Sequence, residues 1–157
     1  IATWGKNVYV KIPVQNSEGK SSIDLVRTLS HAGIKLNVTA IYTLKQTIET
    51  CQALEGGAPS IVSVFAGRAA DLGHDPVPTL TAAAQICMEY GDQIESLWAS
   101  TREVYNILQA EQCGCKIITV PFDVLAKLES GFKTLEELSL DTVQIFKRDS
   151  EAAGFKI

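Results

Sequence analysis

Short apolar runs alternate along this chain with longer segments whose apolar residues recur every three or four positions. Residues 7–14, 36–42, 60–65, 96–100 and 116–120 are rich in Val, Ile, Thr and Tyr, and each run has the length of a buried strand. Residues 21–32, 43–54, 78–90, 101–112, 122–128 and 134–153 read as helices, with glycines such as Gly33, Gly91 and Gly154 as their stops. The first helix turns Ile23, Val26 and Leu29 to one face, the second Leu44, Ile48 and Cys51, and the fourth Val104, Ile107 and Leu108. Strand–helix alternation with short turns predicts parallel strands joined by helical crossovers.

The strands carry a second pattern. Tyr9 and Lys11 share a face of the first, Asn37 and Thr39 of the second, Ser63 and Phe65 of the third, Trp98 and Ser100 of the fourth, and Thr119 is the polar member of the fifth. The opposite faces read Val8, Val10 and Ile12; Val38 and Ala40; Val62 and Val64; Leu97 and Ala99; Ile118 and Val120. A two-residue period puts the apolar set against helices and the polar set on the other side. In a doubly wound sheet both faces are covered, and no Gly-x-Gly-x-x-Gly follows any strand here. A TIM-type (β/α)8 barrel accommodates the pattern, with polar residues pointing into the lumen near its catalytic end. Such a barrel needs eight strands and typically about 250 residues. The expectation is therefore an α/β chain with only five β/α units of such a barrel, forming one partial domain over residues 1–157. The first residue is Ile1 and the only methionine is Met88, which reads as a fragment, a processed form or a partial gene.

Composition narrows the function classes. Hydrophobic residues make up 46% and charged residues 20%, and no run approaches the ~18 apolar residues of a membrane span. A net charge of -4 disfavours nucleic acid as a partner, because such proteins show a basic stripe. Cys51, Cys87, Cys113 and Cys115 are read as reduced thiols of a cytoplasmic protein. Cys113-Gly114-Cys115 lacks a second ligand pair, and His31 and His74 lie in unrelated segments. No metal is expected, and the pair reads as small apolar residues at the entrance to a strand.

Lys11 is the focal residue, in the otherwise apolar Val-Tyr-Val-Lys-Ile-Pro-Val. A lysine buried there lines a cavity, pairs with an acid or loses its charge, and a neutral amine attacks ketones. A snorkelling lysine on an edge strand or a buried ion pair fits the same pattern. Asn37, Thr39, Ser63 and Ser100 can face the same lumen, holding sugar hydroxyls or a water, or serving as hydrogen-bonded barrel-layer residues. Arg68 and Arg102 come just after the third and fourth strands, at the catalytic rim. There they suit a phosphate or a surface salt bridge with Asp71 or Glu103.

Five stretches, taken together, resemble the transaldolase family, including its small members and the related fructose-6-phosphate aldolases. They are Val10-Lys11-Ile12-Pro13-Val14, Gly33 through Ile41, Val62 through Arg68, Trp98-Ala99-Ser100-Thr101-Arg102, and Ile117-Ile118-Thr119-Val120, in family order. Leu140-Asp141-Thr142-Val143, Phe146 and Ala152-Ala153-Gly154-Phe155 are similar to the family's last helix. The resemblance implies that the units present are strands 4–8 plus the C-terminal helix. It implies that Lys11 forms a Schiff base, that Asn37 and Thr39 contact the substrate or its catalytic water, and that Ser63 and Phe65 line the pocket. Arg68 and Ser100 through Arg102 would hold the sugar phosphate. The implied reaction, part of the pentose phosphate pathway, transfers a dihydroxyacetone unit between sugar phosphates without metal or organic cofactor, in a homo-oligomer. The alternatives are a fructose-6-phosphate aldolase-like lyase and a catalytically incompetent barrel fragment. Two departures stand out. Gln15-Asn16-Ser17-Glu18-Gly19 follows the lysine strand where many members have Thr. The family's first three strands, with their acidic, asparagine and Glu/Gln residues, have no counterpart here.

Overall fold

The structure, a computed structural model, describes residues 1–129, 131 and 133–155. The chain divides into two compact units, Ile1–Val124 and Leu125–Ile157. The first is built on five parallel strands, β1 (Val10–Pro13), β2 (Leu36–Ile41), β3 (Ser60–Phe65), β4 (Ile94–Ala99) and β5 (Ile117–Ile118). They are connected by α1 (Ile23–His31), α2 (Leu44–Leu54), α3 (Ala66–Ala70), α4 (Val77–Glu89) and α5 (Tyr105–Gln112). Helix α6 (Phe122–Glu129) follows β5, and α7 (Leu135–Ala152) lies in the second unit. Strand order in the sheet equals chain order, and every pairing is parallel. This is the arrangement of a TIM-type (β/α)8 barrel, of which these strands make up a part.

Local chemistry explains the element ends. In α2 the Thr43 hydroxyl accepts from Gln46 N at 3.2 Å while Gln46 Oε1 accepts from Thr43 N at 3.1 Å. This capping box contributes about 1 kcal/mol. Helix α1 ends where Gly33 takes φ +83°, which lets Ile34 N reach back to Leu29 O. Pro78 sits in the first turn of α4, where its missing N–H costs nothing.

The core lies between the sheet and its helices. Val26, Leu36, Val38, Ile41, Cys51, Leu54, Val62, Val64, Leu80, Cys87 and Trp98 are all buried there. A smaller cluster of Ile61, Leu97 and Ala99, with Tyr9, Phe65 and Ile117 against it, occupies the opposite face. In the second unit Thr134 and Glu137 form a capping box at the start of α7, whose described residues are none of them buried. Lys133 is ion-paired with Asp141, whose carboxylate raises the lysine pKa above its ordinary value.

Several expectations need correction. The ladder of β1 starts at Val10 because its partner β2 starts at Leu36, so residues 7–9 lie outside it. Strand β5 spans two residues; Pro121, which follows Val120, has no N–H to extend a ladder. Strand β4 begins at Ile94, and its faces are reversed. Ser63 aligns with Leu97 and Val64 with Trp98, so Trp98 joins the helix-covered core and Leu97 and Ala99 the other face. In β2, Ala40 takes φ +60° and the register with β3 shifts between Val38 and Ile41, so Ile41 fills the core position expected for Ala40. Helix α2 buries Thr47, Thr50, Cys51, Ala53 and Leu54, leaving Leu44 and Ile48 exposed. Leu108 of α5 is likewise exposed rather than inward.

Candidate active site

The sheet face away from the core places Lys11 and Asn37 in one row, with Ser63 two residues beyond that row along β3. Lys11 on β1 is the direct Cα partner of Asn37 on β2. Ser63 on β3 donates its hydroxyl to Asn37 Oδ1 at 2.7 Å. That bond fixes the amide with its NH2 group unengaged among the described residues, free to donate to a ligand oxygen. Thr39 lies two residues further along β2, and its shielded Oγ1 has no hydrogen-bond partner among the described residues. A buried hydroxyl without a partner is costly, and a substrate or water oxygen would satisfy it. Lys11 is exposed on β1, which pairs only with β2 among the described strands.

The second group lies around the ends of β3 and β4. Phe65, Arg68, Ser100, Thr101, Arg102, Thr119, Val120 and Pro121 line one cavity of about 440 Å³. Four of the five residues selected for substrate or phosphate binding meet there; Ser63 does not line it. Ser63 and Phe65 nevertheless share a strand face, ~6.6 Å apart along β3, which links the row to the cavity. The Arg68 guanidinium lies 5.3 Å from the centre of the Phe65 ring. Arg102 donates from Nε and Nη2 to Asp71 Oδ2 at 3.1 and 2.8 Å, so the salt bridge weighed from the sequence forms. Arg68 has no carboxylate partner among the described residues, so its guanidinium remains available to an anion.

Backbone geometry holds this rim together. Gly67 packs so closely that a Cβ there would stand 1.7 Å from Ser100 O. Ser100 takes φ +65°, a left-handed conformation that a serine adopts only when its surroundings enforce it. Asn106 Oδ1 accepts from Arg102 N at 2.9 Å and Glu103 N at 3.2 Å, so residues 101–104 turn before α5 begins. Sequence reasoning missed Gly67 and Asn106. The signal for Asn106 was an asparagine inside an expected helix, where it is a poor resident. Phe65 also walls a neighbouring cavity of about 440 Å³ with Tyr42, His74 and Asp75, and its ring centre is 5.5 Å from that of Tyr42. Among the described residues, no group of three or more His, Cys, Asp or Glu is arranged to hold a metal.

The family model described as Transaldolase/Fructose-6-phosphate aldolase matches residues 1–157, and the chain belongs to that family. A probable transaldolase of Methanococcus maripaludis strain C5 is 40% identical over 123 residues, covering 78% of this chain and 54% of the relative. One from Dehalococcoides mccartyi is 37% identical over 128 residues, with 82% and 56% covered. One from Streptococcus equi subsp. zooepidemicus is 36% identical over 143 residues, with 87% and 63% covered. The chain thus spans little more than half the length of the curated relatives it matches.

Proposed function

We propose that this chain carries the reacting amine and the phosphate-recognising rim of a class I transaldolase. The observation that supports it most is the pairing of Lys11 on β1 with Asn37 on β2, whose amide oxygen accepts from Ser63. In this reading Lys11 Nζ adds to the ketose carbonyl carbon, and water leaves as the imine forms. A base takes the proton of the hydroxyl two carbons from the imine carbon; as that carbon becomes a carbonyl, the bond between it and the carbon next to the imine breaks, and its electron pair moves to the protonated imine. An aldose phosphate departs, and a three-carbon enamine stays on Lys11. The enamine carbon then attacks an acceptor aldehyde, and water releases the product from Lys11. Asn37 and Thr39 would handle substrate hydroxyls or the water, with Ser63 and Phe65 lining the pocket. Arg68, Ser100 and Arg102 would hold the phosphate through charge-assisted hydrogen bonds.

The reading extends to a cytoplasmic homo-oligomer serving the pentose phosphate pathway, acting on sugar phosphates without metal or organic cofactor. Four free cysteines suit a reducing compartment, and the exposed Leu138, Val143 and Phe146 of α7 suit self-association. Among the described residues, no helix is long and apolar enough to cross a membrane. The test is borohydride reduction in the presence of fructose 6-phosphate, followed by intact mass and peptide mapping. The expected result is one adduct on Lys11, absent from Lys11→Met. No adduct at saturating substrate, or one on another lysine, overturns the proposal. Turnover with and without erythrose 4-phosphate separates transfer from simple cleavage.

A further inference from the structure

The four cysteines have no part in the chemistry above. Cys51 on α2 and Cys87 on α4 are fully buried, and their sulfurs lie 3.8 Å apart. Cys113 is engaged with Val77 O at 3.6 Å. The first two sulfurs are directed at each other. A small cavity of about 140 Å³ borders Cys87 but not Cys51, and is lined also by Ala84, Met88, Ile94, Ser96 and Lys116. A water molecule's share of liquid volume is about 30 Å³, so the cavity has room for a small peroxide.

We propose that Cys51 and Cys87 form an oxidation site, at which a hydroperoxide entering beside Cys87 converts the two thiols into a disulfide tying α2 to α4. Cys87 Sγ attacks the peroxide, the O–O bond breaks, an alcohol or water leaves, and a sulfenic acid remains on Cys87. Cys51 Sγ then attacks that sulfur, the S–S bond forms, and water leaves. Two thiols lose two electrons and two protons, and the peroxide gains them. From 3.8 Å the sulfurs must close to the ~2.0 Å of a disulfide. The hydrogen bond to Cys51 and burial push the Cys87 thiol far above its ordinary pKa. The thiolate is the reactive form, so the conversion is slow and cumulative rather than a rapid signal.

The test uses the reduced chain exposed to hydrogen peroxide, quenched, unfolded with iodoacetamide present and digested without reductant. The expected product is a single cross-linked pair joining the Cys51 and Cys87 peptides, with Cys113 and Cys115 alkylated. The chain should lose two hydrogens of mass, regain them with dithiothreitol, and unfold several degrees higher while oxidised. Cys51→Ala should give no cross-link. The proposal is overturned if all four cysteines remain alkylatable while Met88 becomes the sulfoxide, or if Cys87 pairs with Cys113 or Cys115. It is equally overturned if a chain oxidised in denaturant gives the same pair at the same rate, since the native geometry would then contribute nothing.

Discussion

The two faces of the sheet follow different rules. On the helix-covered face, Leu36, Val38, Ile41, Val62 and Trp98 are completely buried, and packing decides which residue is tolerated. On the other face, Ile61, Leu97 and Ala99 form a small cluster, and Lys11, Asn37, Thr39 and Ser63 carry the polar chemistry. Packing is concentrated on one side and polar side chains on the other. A substitution can therefore be sorted by the face it strikes before its chemistry is considered.

The largest effect should come from the amine. Lys11→Met is expected to remove borohydride trapping entirely. Because Lys11 is exposed, it should leave the unfolding free energy within about 0.5 kcal/mol of the parent. A large stability loss in that variant would break the division between faces. Next comes the pair Trp98→Ala and Leu97→Ala, neighbours in sequence on opposite faces. Trp98→Ala should cost about 3–5 kcal/mol in denaturant unfolding, and Leu97→Ala about 2 kcal/mol. Equal costs would mean that the small cluster bears as much load as the main core. Gly67→Ala should follow, at about 1–3 kcal/mol, because the added carbon collides with Ser100 O. It should also raise KM for a phosphorylated ketose, since Arg68 and Arg102 flank the collision.

The smallest effect concerns pH. Burial, then the neighbouring Cys113, pushes the Cys115 thiol up to about 11, and Cys87 shifts in the same direction. The folded state thus keeps protons that the unfolded chain releases from its ordinary value of 9.0 upward. Stability from this source is whole below pH 9.0 and is lost as pH rises through about 11. Circular dichroism melts across that window should fall more steeply for the parent than for Cys115→Ala.

Legibility in the sequence also divides by face and by length. Strands β2 and β3 could be read because their runs rich in Val and Ile are bounded by turn residues, with Asn37, Thr39 and Ser63 marking one face. Strand β4 was misread because Leu97, Trp98 and Ala99 are all apolar, so alternation leaves the inward set undetermined and only pairing with β3 decides it. The irregularity at Ala40 has no compositional signal: a left-handed alanine looks like any other alanine. Helix α3 is five residues long, too short for periodicity to register. At the candidate site, residue types pointed to Lys11, Asn37, Arg68 and Arg102. The close approach of Gly67 to Ser100 and the turn held by Asn106 depend on contacts between distant segments, which no local pattern encodes.

Strand order identical to chain order has a consequence for how this protein acquires its structure. Each strand docks beside the one made just before it, so every pairing closes one crossover and none waits for a segment beyond the next strand. The sheet can grow like a zipper from either end, and during synthesis it can assemble in the direction of translation. A defect in one unit should then slow the addition of its neighbours more than that of remote units, a gradient that pulse-labelled hydrogen exchange would resolve strand by strand.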